Sequence, residues 1–209
     1  MSYDPIPAAG AGADLFDQPS LFYLTNQNLI EEWHSLQSNV AAALDEWYST
    51  TLRDSLRTPA TDLGLEVALA KGPGSWRHVV LHPPGATFLG GKPVIGVGLA
   101  WPAKSANPSA NSVFSCVRRS SNQTGKNAAA AFLDAGGRES RARIQRSKGA
   151  DSDKWPIWRW VRTETQWWTD LDVYRQMIVD DVMELTVAVI DPLRAASSVP
   201  IVGSADETD

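Results

Sequence analysis

The stretch LGLEVALAKGPGSWRHVVLHPPGATFLGGKPVIGVGLAWP, Leu63 to Pro102, decides the fold. It divides into three apolar runs of strand length, LGLEVALAK, WRHVVLHPP and KPVIGVGLAWP, separated by GPGS, PPGA and LGGKP. Gly and Pro punctuate a chain at such positions, and the separations are those of hairpins. These runs are expected to pair as an antiparallel meander. A fourth run, SVFSCVRR, follows the loop-like ANPSANS and extends the sheet.

The flanking grammar changes to helical. Before the sheet, Leu29, Trp33, Leu36, Val40, Leu44, Trp47 and Leu52 recur at three- to four-residue steps, one face of a long amphipathic helix. Asn28 with Glu31 three residues later predicts its start as a capping box, and Thr58-Pro59 predicts its end. After the fourth strand, NAAAAFLDAGGRESRARIQRSKG combines an alanine-rich helix, a Gly-Gly break and a basic stretch. KWPIWRW then reads as a fifth strand, with Trp158 and Trp160 on one face and Ile157, Arg159 and Val161 on the other. Finally Leu171, Tyr174, Ile178, Val182, Leu185 and Val189 form the stripe of a terminal helix, for which Thr169 is the cap candidate.

The expected architecture is α+β, a mainly antiparallel sheet of about five strands packed against two long helices. Residues 20–195 form the single domain, and 1–19 and 196–209, rich in small and polar residues without periodicity, read as flexible tails. Bulky indoles are expected to fill the gap between sheet and helices. On that reading Trp158 and Trp160 are buried, and replacing either with Ala costs about 3–5 kcal/mol.

Composition excludes several classes. At 209 residues and 43% apolar the chain can bury a core without metals or disulfides, and its lone cysteine, Cys116, makes an intrachain bridge impossible. No apolar run reaches the roughly 18 residues of a membrane span, and no basic segment followed by an apolar one opens the chain, so a cytoplasmic location without membrane contact is expected. The net charge of -5 hides polarity: Arg118 to Arg162 holds eleven Lys/Arg against four Asp/Glu, and the remainder holds eight against twenty. A basic segment of this kind contacts an acidic partner or phosphates, or is met by the protein's own carboxylates.

Familiar chemistry fails on its spacing. His78 and His82 lie about 13 Å apart on a strand, too far for one metal. GATFLGGKP and SNQTGKN approximate phosphate loops, but Pro93 and Asn127 stand where the magnesium-binding hydroxyl belongs. Asp180, Asp181 and Glu184 cluster at helical spacing on the last helix, either as a cation site or as a solvated acidic face that pairs with the basic segment. No catalytic residue, cofactor or metal ligand is assigned.

The order of elements over about residues 25–195, with VIGVGLAWP, WPIWRWV and WWTDLDVYRQMIVDDVMELTVAVIDPL, resembles the C-terminal, non-catalytic region of bacterial proteins related to PD-(D/E)XK nucleases. Such nucleases need an acidic strand residue and a Glu-x-Lys to hold magnesium and position water. Here Asp62 is followed by Glu66 with Ala68 two beyond, and the lysine, Lys71, is five away. The resemblance therefore implies a recognition or assembly module. The leading expectation is a non-enzymatic interaction protein, an accessory subunit of a bacterial or phage system whose partner is another protein. Trp155, Trp167 and Trp168 would be its anchors and Arg138, Arg141, Arg143, Arg146 and Lys148 its basic docking segment. The alternatives are nucleic-acid binding through residues 138–148, and an enzyme with an unrecognised carboxylate site.

Overall fold

The computed structural model describes residues 17–71, 76–88, 91–103, 113–144, 155–161 and 169–198. In chain order the elements are α1 (Gln18–Trp47), a π-helical turn, α2 (Arg53–Asp62), β1 (Glu66–Lys71), β2 (Trp76–His82), β3 (Ile95–Pro102) and β4 (Phe114–Arg119). Then come α3 (Gln123–Phe132), a second π-helical turn, α4 (Arg138–Ile144), β5 (Ile157–Trp160) and α5 (Leu171–Ser197). The five strands form one sheet in sequence order, every neighbour antiparallel. The meander and the α+β class are as the runs and turns predict.

Helix boundaries differ from the expectation. Asp17 caps α1 through Ser20 N at 2.9 Å, with Pro19 in the first turn, so Asn28 lies mid-helix. Pro59 does not end the helical region; it sits inside α2, where buried Leu56 and Ala60 hold the last turn against the core. Packing there outweighs one missing backbone hydrogen bond. The cap of α5 is Asp170, one residue beyond the predicted Thr169, accepting from Val173 N at 3.0 Å. Residues 18–19 and 196–197 accordingly belong to helices, and the remainder of both proposed tails lies outside the described residues apart from Asp17 and Ser198.

Strand alternation assigns the layers. Val79, Leu81, Leu99, Trp101 and Val161 face α2 and α5, meeting Leu52, Leu56, Tyr174, Ile178 and Val182 in the main core. Ile95, Val97, Val117 and Ile157 meet Phe132 of α3 and Leu185, Val189 and Leu193 of α5 in a second cluster on the same side of the sheet. Aromatic rings pin α1 to this layer: Trp47 stacks on Tyr174 at 5.8 Å, and Tyr48 lies 5.0 Å from Trp101. The buried Tyr48 and Tyr174 hydroxyls share a hydrogen bond of 2.8 Å, and burial pushes the Tyr174 phenol up to about 12. Both tyrosines stay neutral.

Two features run against the sequence reading. Leu29, Trp33, Leu36 and Val40, expected on the core face of α1, are 46–63% exposed, because a helix of about 45 Å outruns the domain it packs on. Trp158 and Trp160 do not fill the sheet–helix gap. Ile157 and Val161 do, and the indoles project from the opposite face.

Candidate interaction surface

The register collects that opposite face. His78 pairs with Ala100, Ala100 with Phe114, Phe114 with Trp160, and Cys116 with Trp158. Side chains at paired positions share a face, so Trp76, His78, Ala100, Phe114, Cys116, Trp158 and Trp160 lie together. Glycine makes this packing feasible at the centre: a Cβ on Gly98 would collide with the Val79 carbonyl oxygen. Phe114 is the hub, with ring centroids of Trp76 and Trp155 at 5.1 Å, Trp160 at 5.6 Å and Trp158 at 6.0 Å. The contacts of Trp155, Trp158 and Trp160 to it are edge-on, the arrangement that the ring quadrupole favours.

Exposure grades outward from that hub. Phe114 and Cys116 are buried, Trp76, Trp155 and Trp158 are half-buried, and Trp160 is 36% exposed on β5, an edge strand. Trp155, named from the sequence as an anchor candidate, is half-buried in this cluster beside Trp76, Phe114, Trp158 and Trp160. Burial holds the Cys116 thiol up to about 12 against the opposing pull of Arg118, which removes it as a nucleophile at neutral pH.

His78 lies beneath the aromatics, 6.5 Å from the Trp155 ring, with both ring nitrogens buried and without a hydrogen-bond partner. Burial, then the Arg118 guanidinium, lowers its pKa to about 3. The folded ring is neutral where an unfolded histidine begins to take a proton near pH 6.5. Below that pH the unfolded chain binds a proton that the folded chain refuses, so stability falls as pH falls, until the folded ring titrates near 3. His78→Phe keeps a planar ring and removes the titration. The stability difference between variant and wild type should therefore move by about 2 kcal/mol in the variant's favour between pH 6.5 and 5. Urea unfolding at both values measures it, and a constant difference would contradict the assignment.

The acidic cluster does pair with an arginine of the basic stretch, but Asp181 is largely enclosed where a solvated face was expected. Asp181 and Glu184 meet Arg159, which crosses from β5 to α5 on the helix-facing side; Asp180 bonds to Gln176. Arg159 Nη2 pairs with the Asp181 carboxylate at 3.0 Å and donates to the Asp181 carbonyl at 2.8 Å and to Glu184 at 3.0 Å, Nε donates to Asp181 Oδ2 at 3.4 Å, and the buried Ser115 hydroxyl donates to Asp181 at 2.5 Å. Burial lifts the Asp181 carboxyl above its ordinary range, against the lowering effect of Ser115 and Arg159. This is a clasp between edge strand and helix.

The basic segment is only partly placed. On α4, Arg138 is exposed and bridges to Asp134 at 2.9 Å, Arg141 is half-buried, and exposed Arg143 donates to Ser140 Oγ at 3.4 Å. Trp167, Trp168, Arg146 and Lys148 lie outside the described residues. Among the described residues no group of three or more His, Cys, Asp or Glu could hold a metal ion, and no helix is long and apolar enough to cross a membrane. No family model, curated protein or solved structure matches the chain.

Proposed function

We propose that this protein is a non-enzymatic interaction module, an accessory subunit whose tryptophan face docks onto another protein. The observation that carries the reading is the position of Trp155, Trp158 and Trp160: half-buried to exposed, braced by Phe114, on or beside the edge strand β5. Interfaces take most of their energy from a few aromatic and arginine side chains set in a preformed surround. A rigid indole with a fixed ring environment loses little conformational entropy on binding. The basic α4 helix contacts β5, so Arg141 and Arg143 are on an element beside the same edge and steer an acidic partner towards it.

Because Trp160 lies outside the sheet–helix core, Trp160→Ala should cost about 1–2 kcal/mol of stability, well short of a core truncation. The same change should weaken binding to the native partner at least tenfold. Calorimetric titration with that partner reads the binding, and urea unfolding reads the stability. Arg141→Glu with Arg143→Glu should slow association without abolishing the complex. Sub-micromolar binding to DNA or RNA at physiological salt, removed by that double change and untouched by Trp160→Ala, would contradict the proposal.

A further inference from the structure

The exposed stripe of α1 forms a second apolar surface, independent of the tryptophan face. Phe22, Leu29, Trp33, Leu36 and Val40 are all at least 46% exposed, and from Leu29 their steps are four, three and four residues. That is the alternation of a two-helix seam. The helix bends at Asn26, whose side-chain amide donates to Phe22 O at 2.8 Å, and leaves a straight run from Gln27 that carries the other four. Past Ala41 the same side turns inward, where Leu44 and Trp47 pack on the molecule's own core.

We infer that two copies of this chain pair through these arms, antiparallel, as a two-fold dimer. Parallel pairing would bring both domains to the same end of the seam, where beyond Ala41 each helix already packs on its own core. Antiparallel pairing brings each arm back along the other until it meets the partner's domain. Phe22 then faces Val40, Asn26 faces Leu36 and Leu29 faces Trp33, so large residues sit opposite smaller ones throughout, and the patch is complementary to itself. The charges are a modest cost: α1 carries no Lys or Arg, and Glu31 and Glu32 of the two copies come together near the axis, so the apolar pairs must outweigh a like-charge contact beside the seam. The area reaches the lower limit of a specific interface: ten side chains, each with about half or more of its surface still exposed, remove on the order of 1,000 Å² from water. Most helical stability in proteins comes from packing of an amphipathic face, which a lone arm lacks and pairing supplies.

Light scattering over a concentration series should give twice the chain mass of 22.7 kDa for the wild type. Leu29→Glu with Trp33→Glu puts four carboxylates at the axis and should return the protein to 22.7 kDa with its near-ultraviolet circular dichroism largely retained, since both side chains lie off the domain. Binding at Trp160 is separate and should survive this change. A wild type that is monomeric at every concentration, including one whose arm takes only lipid or an unrelated helix, overturns the dimer, as does a double variant that remains dimeric.

Discussion

Arg159→Met should lower the free energy of unfolding by about 3–5 kcal/mol, because it leaves the Asp181 carboxylate largely enclosed without its counter-ion. The Arg159 side chain is 11% exposed and Asp181 20%, so water can restore only part of the lost solvation. The hydrogen bond from Ser115 persists but cannot neutralise the charge. A carboxyl whose folded pKa is raised above its unfolded value favours the fold below the unfolded pKa and loses that contribution as pH rises through the folded one. In the variant Asp181 rises further, so the deficit should shrink as the solution is made more acid. Arg159→Met combined with Asp181→Leu should recover most of the loss, since apolar replacement of both members of a buried pair is close to neutral. Urea unfolding of the three proteins checks the cycle; a double variant as unstable as the single one would show that the clasp acts through packing instead.

Trp101→Ala carries a comparable cost, about 3–5 kcal/mol, for a different reason. Its indole is 1% exposed, packs on Tyr48 and donates from Nε1 to Asp45 at 2.8 Å. Truncation empties a ring-sized volume where β3 meets the end of α1, and removes the hydrogen bond that fixes Asp45. Thermal and urea unfolding should both show the loss. A cost close to that of Trp160→Ala would mean that the two faces of the sheet are equally buried, against the layering described above.

These two tryptophans mark how far the sequence could be read. Leu99 and Trp101 alternate with Gly98, Ala100 and Pro102, and Val79, Val80 and Leu81 form one short apolar run; Gly and Pro bound both strands, so the meander was legible. On β5 both alternating sets are apolar, Ile157 and Val161 against Trp158 and Trp160, and spacing alone cannot say which set turns inward. Side-chain volume suggested the indoles; the gap beneath α5 is instead filled by aliphatic residues already crowding it from β3, β4 and the helix. The clasp left a faint signal, since Arg159 interrupts the inward set between Ile157 and Val161, and Asp181 borders the α5 stripe. Ser115 completes it only through a tertiary pairing of β4 with β5 that no local pattern encodes. The outer half of α1 was misassigned because amphipathic spacing shows that a stripe will be covered without saying by what.

The proposed role stands most directly on whether position 160 touches another protein in the cell. A photo-crosslinking phenylalanine analogue introduced in place of Trp160, with a second protein carrying it at the exposed Val187 of α5 as control, answers that after irradiation in the native host. A reproducible covalent adduct with one protein at 160, absent at 187 and lost when Trp158→Ala is added, is the predicted result; adducts with nucleic acid alone, or equal labelling at both positions, would contradict it.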